Sequence, residues 1–130
     1  MSALLEALAL DGIEGELLDG KPLALPTSEA QVQAVLKRAH ADGLRVLPMG
    51  LGSKLEWCRP EHSTHADLLL STQRMDTIVD YVPGDGTLTA QAGCTMARLE
   101  EQVLTGGHRL TPAVARPGVS TLGGVLAAGL

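Results

Sequence analysis

Residues 23–54 alternate their signals in an order that leaves few folds open. Leu23 to Pro26 is a short extended run ending at proline, and Thr27-Ser28 then opens a helix with Ser28 and Gln31 at capping-box spacing. Val32, Val35, Leu36 and Ala39 fall on one helical face, and Gly43 supplies a C-terminal stop. Arg45 to Leu47 returns as a strand. Strand, helix and strand in that order predict a parallel pairing closed by a right-handed crossover. A glycine-rich turn follows at once, Pro48-Met49-Gly50-Leu51-Gly52-Ser53-Lys54.

The flanking segments extend the same alternation. Met1 to Leu10 reads as a short amphipathic helix; it has no basic lead and no A-x-A site, so it is not a signal peptide. Leu55 to Thr64 reads as a polar loop, since Pro60 forbids a long helix. Ala66 to Ser71 is a buried strand by its Leu68-Leu69-Leu70 run, and Thr77 to Val82 is another. The turn Pro83-Gly84-Asp85-Gly86 leads into Thr87 to Ala92, with Leu88, Ala90 and Ala92 on one face. Thr95 caps a second helix whose apolar side is Met96, Leu99 and Val103, and Gly106-Gly107 ends it. Beyond Leu110 the chain is rich in proline and glycine and then almost wholly apolar. The last dozen residues, from Val119, show neither charge nor cap and are expected to be mobile or to drive aggregation when alone. The length of 130 residues suits one domain. The expected fold is α/β (α+β): a small mixed sheet flanked by helices, then the start of a second subdomain.

Composition removes whole classes of function. A net charge of -5 leaves no basic surface to displace the counterions of a nucleic acid, and Trp57 and Tyr81 alone cannot stack a run of bases. The same charge leaves a single phosphorylated ligand open, because screening over about 8 Å lets one loop outweigh distant carboxylates. No run reaches the ~18 apolar residues of a transmembrane helix. Two cysteines, Cys58 and Cys94, are too few for a disulfide scaffold and read as reduced thiols in a cytosolic protein.

The Gly50–Lys54 loop presents successive backbone N–H groups after a strand, as an anion cradle does. It matches neither familiar phosphate loop. A dinucleotide fingerprint needs a third glycine where Leu55 stands, and a Walker loop needs Gly-Lys-Ser/Thr where the order is Gly52-Ser53-Lys54. Spacing alone leaves an ordinary tight turn equally open. Cys58, His62 and His65 read as a solvated loop and not a metal site, having no fourth ligand nearby. His40 and His108 read as helix-end cations, Cys94 as a packing residue, and Glu100 and Glu101 as a solvated face. No nucleophile, base and orienting group come together anywhere, so no catalytic residue is expected.

Four segments in order resemble the flavin-binding domain of the vanillyl-alcohol oxidase / para-cresol methylhydroxylase superfamily. They are Pro26 to Ala41, Arg45 to Lys54, Asp80 to Leu99 (DYVPGDGTLTAQAGCTMARL) and Gly107 to Gly124, which closes on Ser120-Thr121-Leu122-Gly123-Gly124. Within that superfamily the chain is most similar to the flavin-binding subunit of bacterial glycolate oxidase and related 2-hydroxy-acid dehydrogenases.

The resemblance implies an N-terminal lead over residues 1–21 and an FAD-binding domain over 22–130, truncated at its C-terminal end. It implies that Met49, Gly50, Leu51, Gly52, Ser53 and Lys54 wrap the FAD pyrophosphate, with Thr121, Gly123 and Gly124 approaching from the other side. Met49 stands where many relatives carry arginine. Ser53 stands where covalent relatives carry histidine, so the FAD is expected to be non-covalent. The implied reaction is hydride transfer from a small 2-hydroxy acid to the flavin, with substrate-facing residues beyond Leu130 and this piece inactive alone. By itself it is expected to hold FAD no more tightly than the low-millimolar range, about -4 kcal/mol. Implied partners include an iron-sulfur oxidase subunit. The implied location is cytoplasmic, or peripheral to the inner face of the membrane through such partners. Two other readings stay open: another oxidase of the superfamily acting on sugars or alditols, and a non-catalytic binding module that kept the fold.

Overall fold

Two sheets organise the chain in the computed structural model, which describes residues 2–57, 60–111 and 113–129. The first has four strands in the spatial order β1 (Glu14–Leu18), β2 (Lys21–Leu25), β4 (Leu68–Ser71), β3 (Val46–Met49). β1 pairs antiparallel with β2, while β2 and β3 each run parallel to β4. The strand-helix-strand reading is thereby corrected: its two strands are parallel but are not neighbours, because β4 lies between them. β4 is buried at all four positions. A strand covered on both faces needs no polar alternation, which accounts for the unbroken Leu68-Leu69-Leu70 run.

One face of the sheet packs Ala24, Leu68 and Leu70 with Val35 and Ala39 of α2 (Glu29–Ala41) and with Leu8 and Ile13 from the N-terminal lead. The other face gathers Leu23, Leu25, Ala66 and Leu69. Fully burying each large aliphatic side chain is worth ~1.5–3 kcal/mol, so Leu8 of α1 (Ala3–Leu10) and Ile13 are part of what holds the sheet. The Ser28 side chain accepts from Gln31 N–H as the capping spacing predicts, but Gln31 reaches back to Thr27 N–H and not to Ser28. Leu36, read as a core position, is 46% exposed. The Leu55–Thr64 loop is also corrected: Leu55–Trp57 forms a short 3-10 turn and Pro60 opens α3 (Pro60–His65). Proline is welcome at the first position of a helix, where its missing N–H would have no intrahelical partner.

The second unit is an antiparallel hairpin, β5 (Ile78–Val82) and β6 (Thr87–Ala90), with α4 (Met96–Leu104) and α5 (Leu122–Ala128). Cys94, Met96, Leu99 and Val125 form its core, edged by Ile78, Leu88 and Ala90. Thr95 caps α4 through Arg98 N–H, as its position predicts. The apolar C-terminal stretch is the larger correction. It folds as α5, capped by the Thr121 hydroxyl and closed by Gly129 in the left-handed region at φ 74°. Among the described residues, no helix is long and apolar enough to cross a membrane.

Candidate cofactor site

β3 delivers the chain to the glycine loop beside the end of β4, and that end fixes how the loop begins. Thr72 N–H donates to the Met49 carbonyl at 3.0 Å, and the fully buried Ser71 hydroxyl donates to the Gly50 carbonyl at 2.6 Å. A peptide is planar and trans, so holding the Gly50 carbonyl turns the Leu51 N–H the opposite way. Two positions admit glycine alone. Gly52 sits at φ +82°, where a Cβ is strained, and a Cβ on Gly50 would lie 2.2 Å from Thr121 Oγ1. Gly50 is therefore a point of close approach between the loop and the second unit.

Within the loop, Leu55 N–H closes a turn on the Gly52 carbonyl at 3.3 Å. The N–H groups of Gly50, Leu51, Gly52, Ser53 and Lys54 find no acceptor among the described residues. The Lys54 ammonium is buried and has no hydrogen-bond partner among the described residues. A buried cation without a partner is costly, and an anionic ligand is the group that would relieve it. Loop residues 48–55 form one wall of a cleft of about 290 Å³, and Thr121, Gly124, Ala127 and Ala128 form the other. A second cleft of about 300 Å³ shares Ser53 and Lys54 and is bounded by residues 113–116 and Ser120.

The opposite turn is built differently from the expectation. Three of its N–H groups are engaged: Leu122 on the Cys94 carbonyl at 2.8 Å, Gly123 on the Ala92 carbonyl at 2.9 Å, and Gly124 on Thr121 Oγ1 at 3.2 Å. Thr121 and Gly124 line the cleft, whereas Gly123 packs on Ala92. Met49, Gly50, Leu51, Gly52, Ser53 and Lys54 all line it, as do Ala127 and Ala128, which the sequence reading did not name. Among the described residues the lining holds no histidine, cysteine or carboxylate. What it offers is a row of backbone donors and one ammonium beside apolar surface.

Elsewhere the structure assigns structural work to residues with reactive side chains. Cys94 is fully buried, and burial pushes its thiol pKa up. Glu100 accepts from Leu110 N–H at 2.8 Å instead of standing in solvent. The Tyr81 hydroxyl lies 3.0 Å from the Val103 carbonyl and 2.6 Å from His108 Nδ1, so the phenol ties the histidine to the end of α4. His108 is thus a packing and hydrogen-bonding residue. The Cys58 of the Cys58-His62-His65 cluster lies outside the described residues.

The family model of the FAD binding domain matches residues 21–130. The chain belongs to this family. It is 30% identical over 105 residues to a D-2-hydroxyglutarate dehydrogenase from Xanthomonas citri pv. viticola, spanning 81% of this chain and 22% of that relative. The chain therefore corresponds to about a fifth of that protein's length. Among solved structures, an alkyldihydroxyacetonephosphate synthase superposes with a TM-score of 0.69 at 27% identity, over 82% of this chain and 20% of that one. Glucooligosaccharide oxidase from Acremonium strictum, which carries 6-S-cysteinyl, 8α-N1-histidyl FAD, superposes with a TM-score of 0.72. At 18% identity, over 95% of this chain and 29% of that one, the latter shows a shared fold. These likenesses establish the mixed α/β architecture of FAD-binding domains in flavin oxidoreductases.

Proposed function

We propose that this chain holds non-covalent FAD in a flavin-dependent 2-hydroxy-acid dehydrogenase. The observation that carries the reading is the buried, unpartnered Lys54 ammonium beside five loop N–H groups without acceptors. A pyrophosphate is the anion that such a set suits, since it offers several oxygens to backbone donors and its charge to the ammonium. Met49, Gly50, Leu51, Gly52, Ser53 and Lys54 are the residues proposed to hold it, with Thr121 and Gly124 closing the far wall. The bound isoalloxazine would supply hydride acceptance, a chemistry that no side chain lining this cleft provides. The loop from Met49 to Lys54 contains neither histidine nor cysteine, which supports non-covalent attachment there. The D-2-hydroxyglutarate dehydrogenase relative supports a 2-hydroxy acid as the substrate class.

The test is spectroscopic, on the intact protein. Purified protein should show flavin absorption, and acid precipitation should release the flavin into the supernatant. Anaerobic addition of 2-hydroxy acids should bleach the flavin, while sugars and alditols should leave it oxidised. A correctly folded, colourless protein that takes up no FAD would sink the reading in favour of a non-catalytic module. Flavin that stays with the acid pellet would refute the attachment mode alone.

A further inference from the structure

We propose that Arg116 is a positioning residue for the glycine loop, acting through the Ser53 carbonyl to aim the Lys54 N–H. The Arg116 Nη2 donates to Ser53 O at 2.7 Å, a contact between residues 63 positions apart. The same nitrogen lies 3.7 Å from the Glu56 carboxylate, which draws the guanidinium toward the loop from its far end. Trans peptide geometry does the rest. With the Ser53 carbonyl held by Arg116, the Lys54 N–H of the same peptide plane must point the other way. Ser71 does this at the Gly50 carbonyl, and Arg116 does it three residues later. The two basic residues of the second cleft thereby divide their work. Arg116 places its Nη2 on a protein acceptor, whereas the Lys54 ammonium has none among the described residues.

A loop preorganised in this way binds an anion without first ordering its own backbone, which is the usual source of affinity in such sites. The consequence for flavin affinity rests on the FAD reading above; the consequence for the loop itself does not. The experiment therefore has two arms on the intact protein: hydrogen exchange of the flavin-free form, and FAD affinity by fluorescence quenching. A charge-assisted hydrogen bond of this kind predicts about tenfold faster exchange of the Leu55 N–H, the loop amide bonded to the Gly52 carbonyl, when Arg116→Gln is made. FAD should bind that variant about tenfold more weakly, Arg116→Lys about threefold, and Glu56→Gln about twofold.

Unchanged loop exchange in Arg116→Gln would overturn the proposal, and so would an increase shared equally by peptides of β4, which marks general destabilisation. Faster exchange with unaltered FAD affinity would overturn the claim that aiming the loop governs binding. Tighter FAD binding by Glu56→Gln would show that Arg116 meets the ligand directly, and would overturn the positioning role. If the unmodified protein takes up no FAD, the flavin reading falls while the exchange arm still decides what Arg116 does to the loop.

Discussion

The two glycine turns facing each other across the cleft look alike in sequence and behave in opposite ways. Met49–Lys54 turns through a left-handed Gly52 and leaves five N–H groups without acceptors. The turn from Thr121 to Gly124 is the first turn of α5, and its Leu122, Gly123 and Gly124 amides are engaged within the protein. One is a backbone held open for something outside the chain. The other is a rigid wall built of small residues. Glycine content marks close approach in both places, but only the hydrogen-bond inventory tells a donor surface from a packing surface.

Substituting the glycines one at a time should separate these roles. Among the glycines of these two turns Gly50→Ala is the most damaging, because its Cβ would overlap the Thr121 side chain, at 2.2 Å from the capping Oγ1 and 2.8 Å from Cγ2. Overpacking of this kind costs roughly 1–3 kcal/mol, and the upper end is expected, read as a fall in denaturation midpoint together with loss of flavin. Gly52→Ala comes next. Its left-handed φ of +82° costs a side chain about 1–2 kcal/mol, while the nearest atom is the flexible end of Met49 at 3.1 Å. Gly52→Val in the intact protein should empty the site while the chain stays folded, and normal flavin content after gel filtration would count against the loop assignment.

A smaller effect concerns the strand that feeds the loop. Arg45 at the head of β3 hydrogen-bonds the Asp67 carboxylate, both through its side chain and through its backbone N–H, and holds its pKa at about 2 against an ordinary 3.8. A carboxyl lowered by folding stabilises above its unfolded pKa and loses that contribution as pH falls from about 4 toward 2. Asp67→Asn should lower stability modestly at neutral pH, with the difference from the unmodified protein closing as pH falls from about 4 toward 2, so that the acid limb of its stability-pH curve is flatter. Gly124→Ala is the smallest. A helix-interior alanine is favoured over glycine by about 1 kcal/mol, which offsets a 3.1 Å contact with Thr121 Oγ1, so the melting temperature should barely move. A loss as large as that of Gly50→Ala would mean that the second turn is no passive wall.

What the sequence made legible follows a single physical rule: signals written within a few residues of the structure they control could be read. The caps at Ser28 and Thr95, the stops at Gly43 and Gly107 and the core face of α4 are all of this kind. What failed depended on distant partners. Nothing in Glu14–Leu18 announces a strand, because four of its five residues are exposed and its pairing is supplied by β2. β4 lies between β2 and β3 for reasons that appear only once both faces of the sheet are covered. α5 was obscured by its own glycines, whose low helix propensity is overridden by the Thr121 cap and by Val125 in the core. The loop residues of the site were visible because glycine after a strand is a local sign. Ser71 and Arg116 were not, since they reach the loop from 21 and 63 residues away.

The position of β4 also dictates an order of events in time. β2 and β3 share no hydrogen bonds, and each has β4 as its parallel partner. As the chain leaves the ribosome, the local β1–β2 hairpin can close early, but β3 must wait without a partner until residues 68–71 emerge. Until then the glycine loop hangs from an unpaired strand, with no Ser71 to hold its first carbonyl. The cradle is therefore absent from the nascent chain until β4 has been made. Any ligand that this loop holds cannot template it during synthesis; it can only be received by a sheet already complete.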